Sequence, residues 1–257
     1  MKIALMDSGI GLLAAAAAVR GLRPDADLVL SSDPDGMPWG PRTPADLTER
    51  ALATARAAAA HAPDALIVAC NTASVHALSA LRAELEPAVA VIGTVPAIKP
   101  ASAGGGRVAI WATPATTGSP YQRALIRDYA GAAEVTEVPC PGLADAVDQA
   151  DADAVRRAVA DAAARTPREV RALVLGCTHY ELVAEEIRAA VGPSVELHGS
   201  ARAVATQALR RVGAPPDPGA APTGRLTVLH SGRDSRLSGQ AMSYPEGNLL
   251  QPVGFPG

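Results

Sequence analysis

The sequence predicts an α/β protein made of two similar domains, each a mainly parallel sheet flanked by helices. Three observations carry this expectation. Short apolar runs alternate with long Ala-rich stretches along the 257-residue chain, the alternation expected of βα units in parallel sheets. A weak internal repeat runs through the chain: Lys2-Ile-Ala-Leu-Met reads like Arg107-Val-Ala-Ile-Trp, and Leu66-Ile-Val-Ala-Cys70-Asn71-Thr72 like Leu173-Val-Leu-Gly-Cys177-Thr178-His179. The spacing is also shared, 68 positions from Lys2 to Cys70 and 70 from Arg107 to Cys177. Two such halves related by a pseudo-twofold would put their strand ends, and one thiol from each, on a shared cleft, because sites in these sheets form beyond the carboxyl ends of the strands.

In chain order, the expected strands are 2–6, 28–31, 65–69, 89–92, 107–111, 173–175 and 195–198. Helices are expected over 12–20, 44–60, 75–85, 121–129, 151–163, 182–191 and 201–212. Gly104–Gly106 reads as a loop before the second half and the Pro/Gly-rich 213–224 as a linker, after which a strand over 225–230 returns to the first half. The first domain is therefore set at 1–96 plus 206–257 and the second at 97–205. From about 233 the tail has little periodicity and is expected to be irregular.

Composition narrows the function. Hydrophobic residues make up 48% of the chain and aromatics 3%, so the core must be built from Ala, Val, Leu and Ile. The net charge of −3 with scattered basic residues leaves no footprint for nucleic acid. No apolar run reaches the ~18 residues of a membrane span, and the start lacks a signal-peptide core. A cytoplasmic protein is expected. Three cysteines in a chain of this length do not form a disulfide framework.

Cys70 and Cys177 each end an apolar strand and precede a helix. Asn71, Thr72 and Ser74 offer caps after the first; Thr178 and Glu181 fit a capping box after the second. Unsatisfied N–H groups and the dipole at a helix N-terminus favour a thiolate, which suits a thiol to general acid–base work. Cys140, in Val138-Pro-Cys-Pro, has no helix immediately behind it and reads as structural. Pyridoxal chemistry needs a Schiff-base lysine, and only Lys2 and Lys99 exist. The five histidines show no ligand spacing and no Cys-x-x-Cys occurs, so neither a cofactor nor a metal is expected. Gly104–Gly106 lacks the Lys-Ser/Thr of a phosphate loop. Asp7-Ser8-Gly9-Ile10-Gly11 has the look of a backbone anion nest.

These motifs, with Pro38-Trp39-Gly40, Val95-Pro-Ala-Ile-Lys-Pro100, Ala112-Thr113-Pro114-Ala115-Thr116 and Gly176-Cys177-Thr178-His179-Tyr180, resemble the glutamate racemase family within the aspartate/glutamate racemases, over roughly residues 1–210. The resemblance implies that Cys70 exchanges the α-proton on the D-face and Cys177 on the L-face. Asp7 would assist the first thiol, and His179 and Asp148 the second. It implies a substrate held by Asp7, Ser8, Trp39, Gly40, Asn71, Thr72, Thr113, Thr116, Thr178 and His179. Four positions depart from the family pattern. Leu12 replaces a glycine, Trp39 a Tyr (an indole donor in place of a hydroxyl), Asp148 a Glu, and Gly199 the Asp of an Asp-Ser pair.

The reading is thus a cofactor-independent racemase that interconverts L- and D-glutamate and supplies D-glutamate for peptidoglycan. Its partner is the small-molecule substrate, with no nucleic acid and no membrane, and a homodimer is allowed. Two alternatives stand beside it: a related racemase or decarboxylase acting on aspartate, a hydantoin or an arylmalonate, and a non-catalytic small-anion binding protein of the same fold. His179 directly after Cys177-Thr178 favours glutamate over aspartate, and the second thiol disfavours a single-cysteine decarboxylase.

Overall fold

The computed structural model describes residues 1–251. The chain forms two compact units, Met1–Thr94 together with the chain from Ala201 on, and Val95–Ser200. Both junctions precede the expected ones at 96/97 and 205/206. The second moves because the helix Ala201–Arg211 buries Val204, Ala205, Ala208 and Leu209 and packs on the first unit's Leu12–Leu22 helix.

The first unit runs β1 (Lys2–Asp7), α1 (Leu12–Leu22), β2 (Asp27–Ser32), α2 (Pro44–Ala59), β3 (Ala65–Val68), α3 (Asn71–His76), α4 (Leu78–Leu85) and β4 (Ala90–Gly93). The second runs α5 (Ile98–Ser102), β5 (Arg107–Ala112), α6 (Pro120–Tyr129), β6 (Glu134–Pro139), α7 (Leu143–Asp148), α8 (Ala152–Arg165), β7 (Ala172–Leu175), a 3-10 turn (Thr178–Val183), α9 (Ala184–Val191) and β8 (Glu196–His198). The chain then returns to the first unit with α10 (Ala201–Arg211), β9 (Leu226–His230), β10 (Arg233–Ser235), α11 (Gly239–Met242) and α12 (Pro245–Leu249).

The two sheets share a strand order. The first is β10-β9-β2-β1-β3-β4 and the second β6-β5-β7-β8, so β2-β1-β3-β4 and β6-β5-β7-β8 are the same arrangement. All pairs are parallel except β9–β10. The repeat seen in the sequence is therefore a repeat of topology. In this order the connections leave β1 toward one side and β3 toward the other, so the crevice that accepts ligands lies beyond the carboxyl ends of that central pair.

Burial follows from the same arrangement. Ile3, Ala4, Leu5 and Met6 of β1 and Val108 to Ala112 of β5 are fully buried, as continuous apolar runs covered on both faces should be. Local chemistry fixes the flanking helices. Thr43 accepts the Asp46 N–H ahead of Pro44, Ser119 accepts that of Gln122 ahead of Pro120, and Asp151 accepts two N–H groups at the start of α8. Each satisfies an otherwise orphaned helix donor.

Several expectations are corrected. The helix behind Cys70 is two helices, interrupted at Ala77 with φ −112°. The capping box at Thr178 does not form. The Glu181 carboxylate instead accepts the Ser200 N–H at 2.8 Å and hydroxyl at 2.9 Å, and the segment winds as a 3-10 turn. The tail is not irregular over the described residues. β10 pairs with β9, Ser238 caps α11 and Pro245 opens α12. The expectation for residues 252–257 lies outside the described residues. Among the described residues, no helix is long and apolar enough to cross a membrane.

Candidate active site

In the first unit, the carboxyl ends of β1 and β3 lie side by side, Met6 opposite Val68. Beyond them stand Asp7 and Ser8 on one strand and Cys70 on the other, all buried. Asp7 Oδ1 accepts the Ser8 N–H at 2.8 Å. Cys70 is extended at the N-cap position of α3, and its carbonyl accepts the Ser74 N–H at 2.9 Å. Asn71 is buried and Thr72 half-buried on the first turn. The strand end beneath Cys70 is fastened by residues that the sequence reading did not assign this role. Val68 O accepts the Thr94 hydroxyl at 2.8 Å, and Ser74 Oγ accepts the Thr94 N–H at 2.9 Å. Thr94 has no sequence signal beyond its position, a hydroxyl just past β4, and the sequence offers Ser74 only as a cap.

Pro38-Trp39-Gly40 lies between β2 and α2 of the same unit. The Trp39 indole is 1% exposed and packs in the cluster that holds Cys70, Met6, Val68 and Ala73. Its N–H donates to Asp33 Oδ2 at 3.0 Å. The indole donor is therefore engaged within the protein, on the Asp33 carboxylate. Leu12, where the family pattern has glycine, opens α1 and is buried. The nest reading of Asp7–Gly11 is modified as well. Gly11 has φ −58° and leads directly into α1.

In the second unit, the equivalent ends are those of β5 and β7, Trp111 opposite Leu175. Thr113 and Thr116 close a turn after β5, with Oγ1 to Oγ1 at 3.3 Å. Gly176 N donates to Trp111 O at 2.7 Å, and a Cβ at 176 would stand only 2.7 Å from that oxygen, so this approach requires glycine. Cys177 follows, buried, with Thr178, His179 and Tyr180 buried behind it.

Cys177, His179 and Asp148 form a chain. Cys177 Sγ lies 3.9 Å from His179 Nδ1, and His179 Nε2 lies 3.2 Å from Asp148 Oδ1. An ionised carboxylate only accepts, so the bond to Asp148 requires the proton on Nε2 and leaves the Nδ1 lone pair toward the thiol. The imidazole can then receive the Cys177 proton as an imidazolium stabilised by Asp148. Asp148, the last residue of α7, makes this contact although it is one methylene shorter than the Glu of the family pattern.

Cys140 is buried in the same unit. Its Sγ lies 3.5 Å from Val138 O, and the Tyr180 hydroxyl donates to its carbonyl at 3.4 Å. Burial pushes its thiol up to about 12, which keeps it neutral and unreactive at ordinary pH. Cys140→Ser should leave turnover essentially unchanged in a steady-state assay. A folded variant without activity would bring Cys140 into the chemistry.

Gly199, the fourth departure, has a structural cause. A Cβ there would meet Glu181 Oε2 at 2.2 Å, so the carboxylate that anchors Ser200 occupies the space an Asp side chain would need. Gly199→Asp should destabilise the protein by about 1–3 kcal/mol through overpacking and like charge. Thermal unfolding of the variant measures the loss.

Among the described residues, no three His, Cys, Asp or Glu side chains are grouped to hold a metal ion. Lys2 Nζ donates to His61 O at 2.5 Å, and Lys99 lies exposed on α5.

Two sheets of one strand order, each with a buried cysteine beyond its central strand pair, define a duplicated α/β protein with cysteines at equivalent positions. Comparison identifies the family. The Asp/Glu/Hydantoin racemase family matches residues 12–208, and the chain belongs to it. The chain is 35% identical over 208 residues to a glutamate racemase of Roseiflexus sp. (strain RS-1), covering 79% of this chain and 76% of that one. It is 36% identical over 213 residues to one from Vibrio campbellii, covering 79% and 77%. The crystal structure of Escherichia coli glutamate racemase in complex with L-glutamate superposes with a TM-score of 0.78 at 27% identity, covering 98% of this chain and 93% of that one.

Proposed function

We propose that this protein is a glutamate racemase that interconverts L- and D-glutamate by two-base proton transfer, Cys177 serving the L-face and Cys70 the D-face, and so supplies D-glutamate for peptidoglycan. The observation that carries the reading is the Cys177–His179–Asp148 chain in one unit, matched by a buried Cys70 beside Asp7 at the equivalent place in the other. The glutamate racemases named above support the choice of substrate.

One base would have to reach both faces of a single carbon, whereas two thiols each need reach only one. From L-glutamate, the Cys177 thiolate takes the α-proton. The carbanion forms among donors from Ser8, Asn71, Thr72 and Thr178, with Thr113, Thr116 and Gly40 holding the carboxylates. The Cys70 thiol, backed by Asp7, then returns a proton to the opposite face. The turnover ends with Cys177 protonated and Cys70 ionised, the arrangement that D-glutamate requires. Before another L-glutamate is processed, Cys177 gives its proton to His179, whose imidazolium Asp148 stabilises, and on to solvent, while Cys70 regains a proton from solvent.

The reading includes a cytoplasmic setting. The circular dichroism of an L-glutamate solution tests the function. With purified protein and no added cofactor the signal should decay to zero. A signal that persists with L-glutamate but decays with aspartate or a hydantoin would assign the site to that substrate instead.

A further inference from the structure

One buried carboxylate outside the proposed chemistry ties together the segments that carry it in the first unit. Asp33 follows β2 directly and is 6% exposed. Its backbone N–H donates to Ser8 O at 3.2 Å. Its side chain takes four donors from three places, the 33–40 loop, α2 and the β9–β10 turn: Gly36 N at 3.1 Å and Ser231 Oγ at 3.2 Å on Oδ1, Trp39 Nε1 at 3.0 Å and Arg50 at 3.3 Å on Oδ2. Ser231 is the turn residue between β9 and β10, held at φ +48°. It also donates its own N–H to Ser32 O at 2.7 Å and accepts the Asp35 N–H at 3.3 Å. Arg233 of the same hairpin pairs with Asp35 at 2.7 Å.

We propose that Asp33 is a positioning residue for substrate binding. It sets Ser8 through its backbone and Gly40 through the Trp39 indole, with the β9–β10 hairpin and Arg50 fixing the carboxylate in place. The proposal rests on the reading of Ser8 and Gly40 as substrate contacts. The physical case is saturation. A buried carboxylate must have its lone pairs satisfied, and here each oxygen takes two donors, one from the 33–40 loop and one from a distant element. The loop cannot shift without breaking charge-assisted bonds on both oxygens. The C-terminal hairpin thereby becomes part of the site's scaffold, although it bears no residue of the proposed chemistry.

The test compares Asp33→Asn, Trp39→Phe, the double variant and Ser231→Ala in the full chain. Kinetics for both enantiomers are read together with the two indole N–H resonances of the ¹⁵N-labelled protein. Asp33→Asn and Trp39→Phe should each raise KM roughly tenfold, the effect of one lost bond to a charged group, with kcat changed far less. The double variant should be no worse than the poorer single one. The Trp39 resonance, identified by its loss in Trp39→Phe, should move in Asp33→Asn while that of Trp111 stays. Ser231→Ala should raise KM by a smaller factor, and it carries the test if Asp33→Asn fails to fold.

Lower thermal stability with unchanged KM in Asp33→Asn, or in Ser231→Ala if only that variant folds, would overturn the proposal, as would fully additive effects in the double variant. Gly40→Ala separates the two levels of the argument. Unchanged KM there removes the substrate-contact reading beneath the proposal. Raised KM there with unchanged KM in Asp33→Asn removes the positioning role alone.

Discussion

Cys177→Ser and Cys70→Ser each lower racemisation by about a thousandfold, within the range for loss of a general acid–base group. An alcohol is a far weaker acid than a thiol, so Ser at 177 cannot supply the base that removes the α-proton of L-glutamate. Ser at 70 fails as the base for D-glutamate. Either change stops both directions, because every turnover uses one thiol as base and the other as acid. Both side chains are buried at the start of short helical segments, and exchanging sulfur for oxygen leaves those segments' backbone bonds intact. Circular dichroism of the substrate measures the rate, and thermal unfolding shows whether the variant remains folded. Substantial activity in a folded Cys177→Ser protein would remove that thiol from the mechanism.

Asp148→Asn should lower kcat/KM by roughly ten- to a hundredfold, the consequence of losing a charge-assisted hydrogen bond worth about 1.5–3 kcal/mol. The neutral amide no longer stabilises the imidazolium that takes the Cys177 proton. The two enantiomers have equal free energy in water, so kcat/KM must fall by the same factor in both directions. The isotope effects must diverge. Cys177 removes the α-hydrogen of the L-enantiomer, and slowing that step expresses the α-deuterium effect on L-glutamate more fully. With D-glutamate the deuterium is removed at Cys70, which no longer limits the rate, so its effect shrinks. Isotope effects that move together would show that Asp148 does not act through the L-side base.

The central strands and both thiols were legible in the sequence because each thiol lies two residues past a fully buried apolar run, and the repeat marks the two runs as equivalent. The geometry that supports them was less legible. β6 was missed because Glu134–Pro139 is an edge strand with only Val138 buried, which leaves no apolar run to detect. α7 was missed because six residues show too little helical periodicity, yet that helix carries Asp148 to His179. The Glu181–Ser200 contact defeated a capping box that local sequence favoured, since a tertiary acceptor outcompeted a local one. Asp33 sits in Ser-Ser-Asp-Pro-Asp-Gly, which reads as a turn. Its partners at 39, 50 and 231 become neighbours only when α2 and β9 pack against β2. The short tail elements depend in the same way on pairing with β9 and on caps too local to stand out.

The central claim is that two thiols act on opposite faces of one carbon, and deuterium incorporation tests it most directly. With L-glutamate in deuterated water, Cys177 removes the α-proton and Cys70 delivers a deuteron already equilibrated with solvent. The D-glutamate formed early should carry deuterium at the α-carbon while the remaining L-glutamate stays protiated, and the labels should reverse when the reaction starts from D-glutamate. Early D-product that retains the original α-hydrogen would show one base carrying the same proton across both faces, and would contradict the two-thiol mechanism.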